Sequence, residues 1–234
     1  MPFRLVEAPS PNHDARPEGA AIDMLVLHYT GMKTAQGALK RLCDPAAKVS
    51  AHYTIDTDGS VYRQVPEERR AWHAGASFWA GEANVNGRSI GIELVNPGHE
   101  FGYVPFADDQ IAALIDLCRG IVARHPIPAR RVLGHSDVAP SRKTDPGELF
   151  PWQHLAEFGI GVWPVARSSQ SEHRVIDGAE FAANLARFGY GVSPQVEVSL
   201  DVVVTAFQRH FRPSCIDGVA DVECAAILED LLAT

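Results

Sequence analysis

Two short apolar runs each stop at a histidine, and that pairing limits the folds open to this chain. Met24-Leu25-Val26-Leu27 leads into His28-Tyr29-Thr30, and Arg131-Val132-Leu133-Gly134 leads into His135. Runs this short and this apolar read as buried strands. Strand ends are where sheet proteins usually carry chemistry, because the sheet fixes the backbone while loops leave room for a ligand. A single strand-end histidine is more often an ordinary hydrogen-bonded residue. Neither one decides anything alone.

The loop after His135 adds to the case. Between Ser136 and Trp152 it holds Lys143 and Asp145, with Pro140, Pro146, Gly147 and Pro151 restricting its shape. Two strand-end imidazoles and one loop carboxylate suit a borderline divalent cation such as Zn²⁺. Three such ligands would leave a fourth position open to water, the arrangement of catalytic rather than structural zinc. Lys143 would set a positive charge beside any metal-bound oxygen.

Periodicity supplies the surroundings. Thr34–Leu42 reads as a helix over the entrance. Residues 51–57 and 60–65 read as a hairpin turned by Asp58-Gly59. Asp108 reads as the cap of a helix over 109–124, whose stripe is Ile111, Leu114, Ile115, Leu117, Cys118, Ile121 and Val122. Strands alternating with helices, plus a hairpin, predict an α/β fold with a mixed central β-sheet flanked by helices. From Pro164 to Gly178 the chain is polar, Ser-rich and without apolar period, which sets a linker at 165–176. Helices at 181–188 (stopped at Gly189), 198–211 and 221–232 then form a small three-helix C-terminal domain. The expected division is a catalytic domain over 1–164 and a helical domain over 177–234.

Composition removes several classes. A net charge of −8 with a pI near 5.6 argues against nucleic-acid binding through a basic face. No apolar run is long enough for a transmembrane helix. Met1-Pro2-Phe3-Arg4-Leu5-Val6-Glu7 lacks the apolar core of a secretory signal, so a cytoplasmic location is the expectation, with the periplasm or cell envelope as the alternative. Cys43, Cys118, Cys215 and Cys224 have no CxxC spacing and indicate no disulfide framework, leaving a Cys215–Cys224 bridge open.

Five motifs occurring in order carry a family resemblance. They are His28-Tyr29-Thr30, Ser50-Ala51-His52-Tyr53, Trp72-His73-Ala74-Gly75, Ser89-Ile90-Gly91-Ile92-Glu93-Leu94, and Gly134-His135-Ser136-Asp137 through Asp145-Pro146-Gly147. Together the region of about residues 20–164 resembles the bacterial zinc-dependent N-acetylmuramoyl-L-alanine amidases, a family that includes phage lysozymes of amidase type and peptidoglycan recognition proteins. The resemblance implies Zn²⁺ on His28, His135 and Asp145, with Glu93 and Lys143 as the catalytic side chains. Ala51 stands where phage members carry tyrosine, Asp145 where they carry cysteine, and Glu93 where they are non-acidic. The chain therefore looks like the bacterial branch.

The implied reaction is hydrolysis of the amide between N-acetylmuramoyl, or anhydro-muramoyl, residues and the L-alanine of the peptidoglycan stem peptide, in cell-wall degradation or muropeptide recycling. The alternative is a recognition protein that binds muropeptide without cleaving it. His73, Asn86 and Arg88 are expected to contact substrate, each against a bland alternative: a buried structural histidine, or solvated loop groups. His52 is expected to pack. His13, His99, His125, His154, His173 and His210 show no ligand spacing and receive no role. With Asn184-Leu185-x-x-x-Gly189-Tyr190, then Ala206-Phe207-Gln208-Arg209-His210-Phe211, then Asp217-Gly218, residues of about 177–233 resemble the three-helix peptidoglycan-binding module, which implies anchoring to glycan or stem peptide; a helical cap that only stabilises the fold, or an oligomer contact, is the alternative.

Overall fold

The computed structural model describes residues 3–165, 175–192 and 198–233. Most of the expected linker, residues 166–174, and with it His173, lies outside the described residues. The strands are β1 (Leu5–Glu7), β2 (His13–Ala15), β3 (Met24–Tyr29), β4 (Tyr53–Ile55), β5 (Val61–Arg63), β6 (Arg69–Ala71), β7 (Ser89–Leu94) and β8 (Val132–Gly134). The helices are α1 (Ala35–Leu42), α2 (Val85–Arg88), α3 (Gly98–Phe101), α4 (Asp108–Arg124), α5 (His135–Val138), α6 (Trp152–Glu157), α7 (Gly178–Phe188), α8 (Leu200–Phe211) and α9 (Val222–Ala233). Six strands form a mixed sheet in the order β1-β5-β4-β7-β3-β8, and β2 pairs with β6 as a separate ribbon. Only β4 and β5, the expected hairpin, run antiparallel within the larger sheet.

Alternation on the central strands sorts side chains to two faces. Leu25 and Leu27 of β3 and Ile90, Ile92 and Leu94 of β7 face one way. There they pack against α4 and α6 through Leu114, Ile121, Trp152 and Leu155. Met24 and Val26 face the other way, into a cluster with Leu133, Val138 and the C-terminal helices through Phe181, Leu185, Phe207 and Leu228. The C-terminal helices thus cover a sheet face.

One sequence expectation about α4 needs correcting. The helix begins at Asp108 itself, and its N-cap is Ala107, which makes no side-chain cap bond. Asp108 and Asp109 instead occupy the first turn, where a negative charge meets the positive end of the helix dipole. Gln110 then donates to the carbonyls of Ile55 (2.9 Å) and Val95 (3.1 Å), satisfying acceptors at the ends of β4 and β7.

Glu67 ties the far end of α4 to the sheet. It accepts from Tyr53 Oη at 2.7 Å, Arg124 Nη2 at 2.6 Å and His125 Nε2 at 2.7 Å. Burial works to raise its pKa, but the bonds from Arg124, Tyr53 and His125 outweigh burial and bring it from 4.5 down to about 2. A carboxyl held lower in the folded state stabilises fully above its unfolded pKa, and that stabilisation fades as pH falls from about 4.5 toward 2. Glu67→Gln is therefore expected to lower the Tm at pH 7 by about 4–8 °C. Melting curves across pH should show the gap to wild type closing below pH 4.5; a gap independent of pH would assign the loss to packing.

Candidate metal centre

Strand register builds the site. In the parallel ladder of β3 and β7, His28 stands opposite Glu93, and Gly134 of β8 stands opposite Leu27. His135 follows Gly134 as the first residue of α5, so it emerges beside His28. The loop beyond returns Asp145, whose backbone carbonyl accepts from Ser136 N at 2.9 Å. His28, His135 and Asp145 are all buried, and their donor atoms converge as one triangle. His28 Nδ1 lies 2.9 Å from His135 Nδ1, and Asp145 Oδ2 lies 3.1 Å and 3.0 Å from these two nitrogens.

Tautomers decide what these atoms can hold. His135 Nε2 sits 3.1 Å from the carbonyl of Ala74, which can only accept, so Nε2 carries the hydrogen and Nδ1 a lone pair. For His28 the same conclusion comes through a relay. Ser89 Oγ donates to the carbonyl of Val85 at 2.7 Å and so accepts from His73 Nε2 at 3.1 Å. His73 Nδ1 is then an acceptor and takes the Nε2 hydrogen of His28 at 3.0 Å. His28 Nδ1 is left with a lone pair as well.

Burial, then the neighbouring His135, depresses His28 to about 4 despite Asp145. Burial with the neighbouring imidazoles holds His73 well below its usual value. Two nitrogen lone pairs and a carboxylate oxygen about 3 Å apart have no proton to share, and a divalent cation is what such a set accommodates. Tetrahedral ligands at zinc bond lengths stand about 3.3 Å from one another, close to the spacing here. Donors pinned by a second layer of acceptors are also how metal-binding imidazoles are oriented.

Around the triad runs a cleft of about 570 Å³, whose lining includes Met32, Arg41, Trp72, His73, Glu93, Phe101, His135, Lys143 and Asp145. Glu93 Oε2 is buried with no hydrogen-bond partner. Burial foremost, then Asp145, raises the Glu93 pKa well above the carboxylate range, while Lys143 works the other way. An orphaned carboxylate oxygen in register with a ligand, beside an ammonium, is a group arranged to take up a proton.

Two expected substrate contacts are placed elsewhere. Asn86 Oδ1 accepts from the backbone amides of His73 (3.2 Å) and Ala74 (2.8 Å), so it shapes the segment that holds His28 and His135. Arg88 pairs with Asp23, as does Arg131. It precedes β7, about 16 Å along the strand from Glu93 at ~3.3 Å per residue. Neither lines the cleft. His73 does line it, and also backs His28. His52 packs as expected, accepting from Gly91 N at 2.9 Å. Among the described residues all four cysteines are free, so no Cys215–Cys224 bridge forms.

Three residues with no assigned role prove to matter. Ser89 ends the relay. Gly91 leaves room for the His73 ring, since a Cβ there would lie 2.4 Å from His73 Cγ. Asp137 caps the start of α5 by accepting from Gly134 N at 2.7 Å. The alternation of Ser89, Gly91 and Glu93 with Ile90, Ile92 and Leu94 was the available signal for the first two.

Comparison with known proteins identifies the family. The family profile described as N-acetylmuramoyl-L-alanine amidase matches residues 18–148. The chain is 42% identical over 230 residues to the N-acetylmuramoyl-L-alanine amidase AmiD of Escherichia coli K12, spanning 90% of this chain and 82% of that protein. It is 36% identical over 164 residues to the 1,6-anhydro-N-acetylmuramyl-L-alanine amidase AmpD of Enterobacter cloacae, spanning 63% and 86%. Among solved structures, E. coli AmiD in complex with its substrate anhydro-N-acetylmuramic acid-L-Ala-D-gamma-Glu-L-Lys superposes with a TM-score of 0.83 at 40% identity, over 93% of this chain and 92% of that one. AmpDh3 from Pseudomonas aeruginosa, in complex with anhydromuramic pentapeptide, gives 0.82 at 35% identity over 92% of each chain. By motif, by fold and by sequence, the chain belongs to the N-acetylmuramoyl-L-alanine amidase family.

Proposed function

We propose that this amidase is zinc-dependent and cleaves the amide joining the lactyl group of N-acetylmuramoyl or anhydro-muramoyl residues to the L-alanine of the stem peptide. The observation that carries the reading is the convergence of the two Nδ1 lone pairs and the Asp145 carboxylate beside Glu93. Zn²⁺ held by His28, His135 and Asp145 would supply a water of lowered pKa and polarise the scissile carbonyl. Glu93 takes the proton of the attacking water on its carboxylate and returns it to the leaving amine nitrogen. Lys143 stabilises the negative charge that develops on the carbonyl oxygen. His73 keeps His28 in its ligating tautomer. A cleft with Trp72, Phe101 and Met32 beside Arg41 and Lys143 suits a glycopeptide that is part apolar and part anionic. The anhydromuramic peptides bound to E. coli AmiD and to AmpDh3 support that substrate class.

Anhydro-muramoyl tripeptide and purified sacculi should be incubated with the zinc-loaded chain, and released peptide followed through its new L-alanine amine. Hydrolysis is expected, falling at least about 100-fold after chelation and returning with Zn²⁺. Tight muropeptide binding by the zinc-loaded protein with the amide left intact would assign it to recognition. The ratio of the two rates reports whether anhydro-muramoyl ends or intact wall is preferred. Among the described residues no helix is long and apolar enough to cross a membrane.

A further inference from the structure

The C-terminal helices reach the metal centre through one carboxylate. Asp137 is 1% exposed and lies two residues past His135 in α5. Its Oδ2 accepts from Gly134 N at 2.7 Å and from His210 Nδ1 at 2.6 Å, and its Oδ1 accepts from Tyr190 Oη at 2.7 Å. Gly134 belongs to the sheet, whereas Tyr190 follows α7 and His210 lies in α8. The His210 ring stacks on Trp152 (centroids 3.7 Å apart) and on Phe211 (3.9 Å), which fixes its direction. Next to it in α8, Arg209 lies 3.9 Å from Glu148, three residues past ligand Asp145.

A helix of four residues has too few internal hydrogen bonds to hold its own orientation. The direction of His135 therefore depends on what clamps α5: backbone bonds from Ser136 N to the carbonyl of Asp145 and from Phe78 N to that of Val138, the contact of His135 with the Ala74 carbonyl, and Asp137, the side-chain clamp that joins it to the C-terminal helices. Two of its donors come from the far end of the chain. We infer that the C-terminal helical unit is a positioning element of the metal centre: Tyr190 and His210, through Asp137, hold α5 so that His135 points into the ligand triad. The inference rests on the metal site proposed above. It concerns what the helices do for the catalytic unit, whatever else they bind.

The test is Zn²⁺ affinity of the full-length chain by chelator competition, together with the visible spectrum of the Co²⁺-loaded protein. His210→Ala is expected to weaken Zn²⁺ binding about tenfold or more and to alter the Co²⁺ bands. His210→Asn, whose amide donates from nearly the place of Nδ1, should recover affinity to within about threefold of wild type. Leu228→Ala loosens the same helices without touching Asp137 and should lower the Tm while leaving Zn²⁺ affinity unchanged. If His210→Ala lowers the Tm but keeps wild-type affinity, the contact merely joins two layers and the inference fails. Should His210→Ala not fold, Tyr190→Phe removes one hydroxyl only; about three- to tenfold weaker binding supports the clamp and wild-type affinity overturns it. Absence of Zn²⁺ binding by the unsubstituted chain would sink the metal site itself, a result separable from all of these.

Discussion

Replacing Glu93 by alanine is expected to leave Zn²⁺ affinity within about threefold of wild type and to lower kcat by about 10³-fold, within the range of lost general acid–base catalysis. The expectation follows from where the carboxylate stands. Glu93 is opposite His28 in the β3–β7 ladder, so it faces the cleft, yet it is not among the convergent ligand atoms. Its Oε2 is buried without a partner, and burial with the nearby Asp145 makes its charged form costly. A side chain kept in that condition contributes nothing to stability that alanine would forfeit. It does supply an acceptor for a proton released next to the metal. A bound cation and Lys143 both favour its ionised form, which is the form a base must have. Turnover at saturating peptide, measured beside metal content, separates the outcomes. Retained kcat would remove Glu93 from the chemistry, and parallel loss of zinc would make it a support of the ligand set.

The sheet, its hairpin, the long helix, the meeting of His28 with His135 and Asp145, and the placing of Glu93 and Lys143 on one cleft with the last two were legible because each rests on a local pattern. Apolar runs ending in histidine mark strand ends, Asp58-Gly59 marks a turn, and α4 shows helical spacing over its whole length. The strands β1 and β2 were not legible: Leu5–Glu7 and His13–Ala15 are as short as β4, β5 and β8 but have neither an apolar run ending in a histidine nor a turn signal beside them. Asn86 and Arg88 lie away from the cleft for a geometric reason. Closeness in sequence to Glu93 suggested closeness to the chemistry, but a strand carries its two ends far apart, and both residues lie before its opposite end. His210 was passed over for the converse reason. Its partner Asp137 is 73 residues away, and no spacing rule connects a histidine in one helix to a carboxylate in another. The relay behind His28 lies between these cases. Each member sits in a recognisable motif, but only the fold shows that His73 lies between Ser89 and His28.

That relay makes Gly91→Ala the substitution with the widest expected consequences. Gly91 is in the middle of a central strand, on the same face as Ser89 and Glu93, and the His73 ring lies directly over it. An added Cβ would stand 2.4 Å from Cγ and 2.6 Å from Cδ2 and Nδ1 of that ring, closer than real Cβ atoms come to anything. The ring has little freedom to yield, because it is buried with the rings of His28 and His52 at centroid distances of 5.1 Å and 5.8 Å. The strand cannot yield easily either, being hydrogen-bonded on both sides to β3 and β4. Overpacking of this kind costs about 1–3 kcal/mol, or roughly 2–12 °C in Tm for a chain of this size. Displacing the ring also frees His28 Nε2 from its acceptor, and losses of such outer partners weaken metal binding about 10–100-fold. Gly91→Ala should therefore lose stability, Zn²⁺ affinity and turnover together. The double variant Gly91→Ala, His73→Ala separates the causes, since it makes room for the methyl group but still lacks the acceptor. Its Tm should recover most of the loss while its Zn²⁺ affinity stays at the level of His73→Ala alone, a non-additivity expected only of groups in direct contact. Recovery of zinc affinity along with stability would mean that the imidazole of His73 does not set the tautomer of His28.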